Sequence, residues 1–204
     1  MNRTIKYLPL IGFLLYVLLF VIAASVYDGG TQFDFGRKSF DWFHNYWCDL
    51  MIEYNFRHEP NRSRPVAIVA WIILCFSCMI YMYRIIPVLK LNKGFEKVIQ
   101  ASSIIAFIIG SLAFTRHHDL IVAIAFSFGF VLVVGLVVGL FKTNLQVYKW
   151  TFVFPAVLLS ASFYMFFTDT GLHWLGFIQK LALLSTFIWL AFLYQKAYIK
   201  KEVF

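Results

Sequence analysis

Six apolar stretches, each about as long as a bilayer's hydrocarbon core demands, constrain this chain more than any other feature. They cover residues 7–27, 65–87, 98–114, 120–141, 150–167 and 172–194. A helix rises 1.5 Å per residue, so roughly 20 apolar residues cross about 30 Å of hydrocarbon. No water is available in that layer to satisfy backbone N–H and C=O groups, and such runs therefore fold as helices. The expected fold class is an all-α integral membrane protein, one six-helix domain over residues 1–204. A composition of 61% hydrophobic and 14% charged residues, with mean hydropathy +0.76, leaves no material for a separate soluble domain.

The net charge of +8 on this frame reads as topology rather than as a nucleic-acid surface. An even number of spans puts both termini on one side. Arg3, Lys6, Arg84, Lys90, Lys93, Lys97, Lys142, Lys149, Lys196, Lys200 and Lys201 fall on that side. Arg37, Lys38, Arg57, Arg62, Arg64 and Arg116 fall on the other. The positive-inside rule then makes the termini cytoplasmic and places residues 28–64 outside, with the short turns 115–119 and 168–171. The expected localisation is the cell membrane. Ala23, Ala24 and Ser25 imitate a signal-peptidase site, but the apolar run before them is longer than a signal core, so an uncleaved first span is expected. Gly135 and Gly139 form a small-xxx-small pair that invites close approach of another helix. Cys75 and Cys78 lie in a C-x-x-C inside an apolar run with no further ligand near, which reads as packing rather than as a zinc or redox motif.

The long polar interval is residues 28–64. It carries Asp28, Asp34, Asp41, Asp49, Glu53 and Glu59, six of the ten carboxylates. Its centre, FDWFHNYWCDL, interleaves aromatics with Asp, His, Asn and Cys. A flexible linker is built from Gly, Ser and charge, so this segment is expected to fold against the ends of the helices around it. Asn61-Arg62-Ser63 is a glycosylation sequon, relevant to a protein of a eukaryotic secretory route.

The residues able to do chemistry follow from the same topology. Lys180 is the one basic residue set deep within an apolar run, about 12 Å below the start of the last span at 1.5 Å per residue. An ammonium at that depth is costly unless it is paired or reaches water. His173, Gly176 and Lys180 share one helix face, and Gln179 is adjacent. A polar, outward-opening cavity with Lys180 at its floor is expected to hold a membrane lipid or other amphiphile, with His173, Asp49 and His117 lining its mouth and Gln179, His44 and Asn45 as further ligand-binding candidates. A second arrangement uses His117, His118, Asp119, His173 and Asp49 as ligands of a metal ion, zinc being the candidate. Imidazole and carboxylate suit zinc, and an open fourth position would activate water for a membrane hydrolase. The adjacent His117 and His118 point about 100° apart on a helix and suit one ion poorly. A structural or assembly protein with no ligand is the third expectation.

The segment HNYWCDLM (residues 44–51) and the Gln179-Lys180 pair resemble the bacterial six-span membrane proteins of unknown function that are similar to the Frag/DRAM-like group. Eukaryotic members of that group handle membrane lipids, so the resemblance implies a lipid-related role and assigns no catalytic residue. Trp47-Cys48-Asp49 also resembles a segment of the ceramidase-like membrane hydrolases, which use His and Asp ligands near helix ends. Those proteins have seven spans and a paired histidine motif in the last helix, where this chain offers six spans and His173 alone.

Overall fold

The computed structural model describes residues 6–199, without the side chain of Gln146. Arg3, Lys200 and Lys201 of the charge argument lie outside the described residues. Among these the chain forms α1 Leu8–Ser25, α2 Arg64–Ile85, α3 Lys93–Gly110, α4 His118–Phe141, α5 Gln146–Thr151, α6 Val153–Thr168 and α7 Leu172–Tyr194. Short 3-10 turns occupy Cys48–Leu50 and Ile86–Leu89, and a π turn follows α7 at Gln195–Ile199.

Local chemistry sets the boundaries. Pro65 sits in the first turn of α2, where its missing N–H has no partner to lose. Pro87 ends the regular helix in a 3-10 turn, and Lys90, at φ 54°, turns the chain away. Asn92 then caps α3 by accepting from the Phe95 N–H at 2.8 Å.

Five helical stretches are long and apolar enough to cross a membrane: Leu8–Ser25, Arg64–Leu89, His118–Phe141, Val147–Thr168 and Leu172–Ile199. That pattern fits a membrane protein. The stretch expected over residues 98–114 falls on α3, which stops at Gly110 and carries Lys93, Glu96 and Lys97 near its start. Its apolar part is only 13 residues, about 20 Å of helix, which is why it is not among the five. Val147–Thr168 buries just 6% of its apolar window inside the protein. In water such a surface would drive aggregation; in hydrocarbon it costs nothing.

The chain divides into two compact units. The first contains Met1–Leu14, Ile72–Phe152 and Trp189–Phe204. Here the small pair of α4 expected from sequence packs on α3 at Gly135 and on the Ile86–Leu89 turn at Gly139. A side chain at Gly135 would meet Ile99 at 2.2 Å, and one at Gly139 would meet Leu89 at 2.6 Å. Arg84 donates to the Tyr194 hydroxyl at 3.1 Å and the Lys6 carbonyl at 3.4 Å. Tyr81 donates to the Leu190 carbonyl at 2.9 Å. Cys75 and Cys78 are buried and not disulfide-bonded, as packing residues would be.

The second unit contains Leu15–Trp71 and Val153–Ile188, and so holds the whole polar segment. Its aromatic core joins Tyr16, Phe20, Trp47 and Phe187, with Trp47 edge-on to Phe20 at 4.8 Å. The polar segment is ordered, as its composition predicts, although it has almost no regular structure. Short polar side chains take the place of helix and strand ladders. Thr31 Oγ1 accepts from the N–H groups of Phe33 and Asp34, and Asp41 Oδ1 from that of Phe43. Asn55 Oδ1 accepts from Arg57 and Glu59. Asn61 donates to the carbonyls of Asp49 and Ile52, and Ser63 to that of Leu50. Asn61 is buried with its amide engaged, so the sequon here is a turn element rather than an exposed acceptor.

Candidate functional site

In the second unit the polar segment is fastened to the first turns of α7 along the face that carries His173, Gly176 and Lys180. Gly176 is the point of closest approach. A Cβ there would lie 2.7 Å from the Asn45 carbonyl oxygen and 2.9 Å from those of His44 and Phe43. Only glycine leaves room for the backbone of residues 43–45 to cross the helix at this distance.

One turn further along, Lys180 is 5% exposed. Its ammonium donates to the Asn45 carbonyl and, at 2.8 Å, to the Gly176 carbonyl. The rings of Phe40 and Trp47 flank it at 5.3 and 5.8 Å. Carbonyl dipoles and aromatic faces both stabilise a cation deprived of water. Among the described residues Lys180 forms no ion pair within 4.0 Å, although Asp49 is near enough to feel its charge. Gln179 accepts from the Trp47 N–H at 3.2 Å and makes a further link between segment and helix.

Asn45 is the hub beneath these contacts. Its side-chain Oδ1 accepts from the Asp41 N–H at 2.8 Å. Its amide donates to the Gly30 carbonyl and to Asp49 Oδ2, both at 2.9 Å. Asp49 Oδ2 also accepts from the Tyr46 N–H at 2.8 Å. Burial raises the Asp49 carboxyl to about 6, against the opposing pull of Asn45, the Tyr46 N–H and the Lys180 charge. Because the folded value lies above the unfolded one of 3.8, folding favours the protonated acid. The contribution is full below about pH 4 and disappears as pH rises through about 6. A tenfold gain in proton affinity is worth about 1.4 kcal/mol, so the whole contribution amounts to about 3 kcal/mol. Melting curves in detergent from acid to neutral pH should show the wild type losing stability over that window. Asp49→Asn keeps an oxygen for both donors and should flatten the curve; an unchanged slope would remove Asp49 as its cause.

His44 and His173, 129 positions apart, meet at the edge of this network with their Nε2 atoms 2.8 Å apart. Asp41 Oδ2 stands 2.8 Å from His44 Nδ1, and the same oxygen accepts from Arg37 at 2.6 Å. Burial alone would raise Asp41, but His44, the Phe43 N–H and Arg37 together hold its carboxyl below the usual value. The Phe33 ring leans edge-on against both imidazoles.

Of the expected cavity residues, the fold thus joins Lys180, Gln179, Asn45 and Asp49 in one buried network and His44 with His173 at its exposed rim. The Lys180 face is filled by the chain's own backbone. His117, His118 and Asp119 belong to the first unit, where His118 Nδ1 lies 3.0 Å from Asp119 Oδ1 and Arg116 donates to His117 at 3.3 Å. Among the described residues no three His, Cys, Asp or Glu side chains come together as a metal-ligand set. Sequence reasoning missed Asp41, Arg37 and Phe33 as site residues. The Asp41–His44 spacing of three was the one available signal, and it was lost among six carboxylates. No family model, curated protein or solved structure matches this chain.

Proposed function

We propose that this chain is a six-span protein of the cell membrane, with cytoplasmic termini and residues 28–64 outside, that engages a lipid or similar amphiphile at the exposed face of that segment. The observation that carries the reading is the set of large aromatic rings held in the open by a segment whose backbone is otherwise locked. Phe33, Phe35, Trp42, Phe43 and Trp174 are exposed, and Phe43 stacks on Phe177 of α7 at 5.1 Å. Phe33 packs against His44 and His173 and Trp174 against His173, while the exposed cations of Arg37 and Lys38 lie in the same segment. Aromatic rings with polar neighbours suit the headgroup level of a bilayer, and exposed cations suit an anionic headgroup. Lys180 acts here as the fastener that holds the face in shape, because its ammonium is already satisfied within the chain.

That same satisfaction of Lys180 and Asp49 favours a second reading, an assembly protein with no lipid ligand. Lipid extraction from the purified protein separates the two. Wild type should retain phospholipid through detergent exchange, and the triple variant Phe33→Ser, Phe43→Ser, Trp174→Ser should lose most of it while melting within a few degrees of wild type. Lys180→Met should melt lower yet keep lipid per folded chain. Equal lipid in the folded triple variant would discard the amphiphile reading in favour of assembly.

A further inference from the structure

The His44–His173 contact is built in a way that the lipid reading does not use. Two imidazoles from distant parts of the chain converge through Nε2 at 2.8 Å, with His173 exposed and His44 half-buried. A carboxylate 2.8 Å from His44 Nδ1 favours the tautomer with the ring proton on that nitrogen, which leaves the Nε2 lone pair directed at His173. Every available oxygen of that carboxylate is already engaged. Oδ2 takes Arg37 and His44, and Oδ1 takes the Phe43 N–H at 2.9 Å. Asp41 is therefore placed to orient an imidazole and not to bind an ion itself. A carboxylate–histidine pair of this kind is the usual outer shell of a metal ligand, because it fixes the tautomer and makes the facing nitrogen more basic.

We propose that His44 and His173 form a two-imidazole site for a divalent transition-metal ion such as zinc, with Asp41 as the orienting partner. Zinc–nitrogen bonds of about 2.0–2.1 Å at a tetrahedral angle place two nitrogens about 3.4 Å apart, so the rings need to open by only about half an ångström. Binding requires His173 to present Nε2 as a lone pair, its proton moving to Nδ1 or to solvent. Phe33 walls one side of the pair, and the remaining coordination positions face outward for water or an external oxygen donor. This pairing differs from the ligand set expected from sequence. It draws His173 together with His44 and leaves Asp49 in the buried hydrogen-bond network.

Equilibrium dialysis of the full chain in detergent against zinc, without chelator, is the test. About one saturable zinc per chain is expected, with a rise in melting temperature, since the site exists only in the folded protein. His173→Gln alters an exposed side chain and should abolish both effects while melting like metal-free wild type. His44→Gln should do the same, and His118→Gln should change neither. Asp41→Asn should weaken binding roughly 10–100-fold without removing it. Absence of saturable zinc in the wild type, or undiminished binding in His173→Gln, would overturn the proposal.

Discussion

Replacing Gly176 by valine is expected to detach residues 43–45 from α7 and to lower stability by roughly 3–5 kcal/mol. In an isolated helix the exchange of glycine for a residue with a side chain is favourable by up to about 1 kcal/mol. Here that gain is outweighed. The new Cβ would stand 2.7–2.9 Å from three carbonyl oxygens. These are backbone atoms and cannot swing aside as a side-chain tip would. Moving them breaks the Lys180 bond to the Asn45 carbonyl and the Gln179 bond to the Trp47 N–H. The loss leaves a buried ammonium short of acceptors, which costs more than an ordinary hydrogen bond. Gly129 is the control, since nothing lies within 4 Å of a Cβ there. Gly129→Ala should be neutral or slightly stabilising in the same melting assay. A loss at Gly129 similar to that at Gly176 would mean that the crossing at Gly176 is not what makes its replacement damaging.

Asn45→Asp is expected to be nearly as damaging at neutral pH, about 3 kcal/mol or more, with almost no change in volume. The wild-type amide gives one hydrogen to the Gly30 carbonyl and one to Asp49. A carboxylate gives neither, and it sets a second negative charge against a buried acid. Two carboxylates at that distance cannot both ionise cheaply, so the pair should take up a proton and titrate together at raised pH. The defect should therefore shrink on acidification. Adding Asp49→Asn to Asn45→Asp restores one donor facing one carboxylate, and the double variant should recover part of the loss. A pH-independent defect with no recovery in the double variant would show that Asn45 acts through shape alone.

Much of this arrangement was legible in the sequence. The helix face shared by His173, Gly176 and Lys180 follows from spacings of three, four and seven, and it is the face that receives the polar segment. The order of that segment follows from its aromatics and from the density of Asp, Asn, Thr and Ser, which satisfy a backbone locally when no helix or strand does. The close approach at Gly135 and Gly139 was equally readable as a pair of small residues four apart. Less was readable of what fills each space. The partners of Lys180 are main-chain carbonyls, which every residue possesses, so no sequence signal distinguishes those of Asn45 and Gly176.

The sequence by itself determined that the chain is helical, where its apolar stretches fall, and that residues 28–64 fold rather than trail. Each of these depends on periodicity, run length or composition, which short stretches carry without outside help. Only the tertiary structure decided that Lys180 closes onto its own backbone instead of lining an open cavity. The same is true of the meeting of His44 and His173 across 129 positions, with Asp41 behind them. Such contacts depend on where two separate segments come to rest, and that is set by the packing of Tyr16, Phe20, Trp47 and Phe187 together with the space left at one glycine.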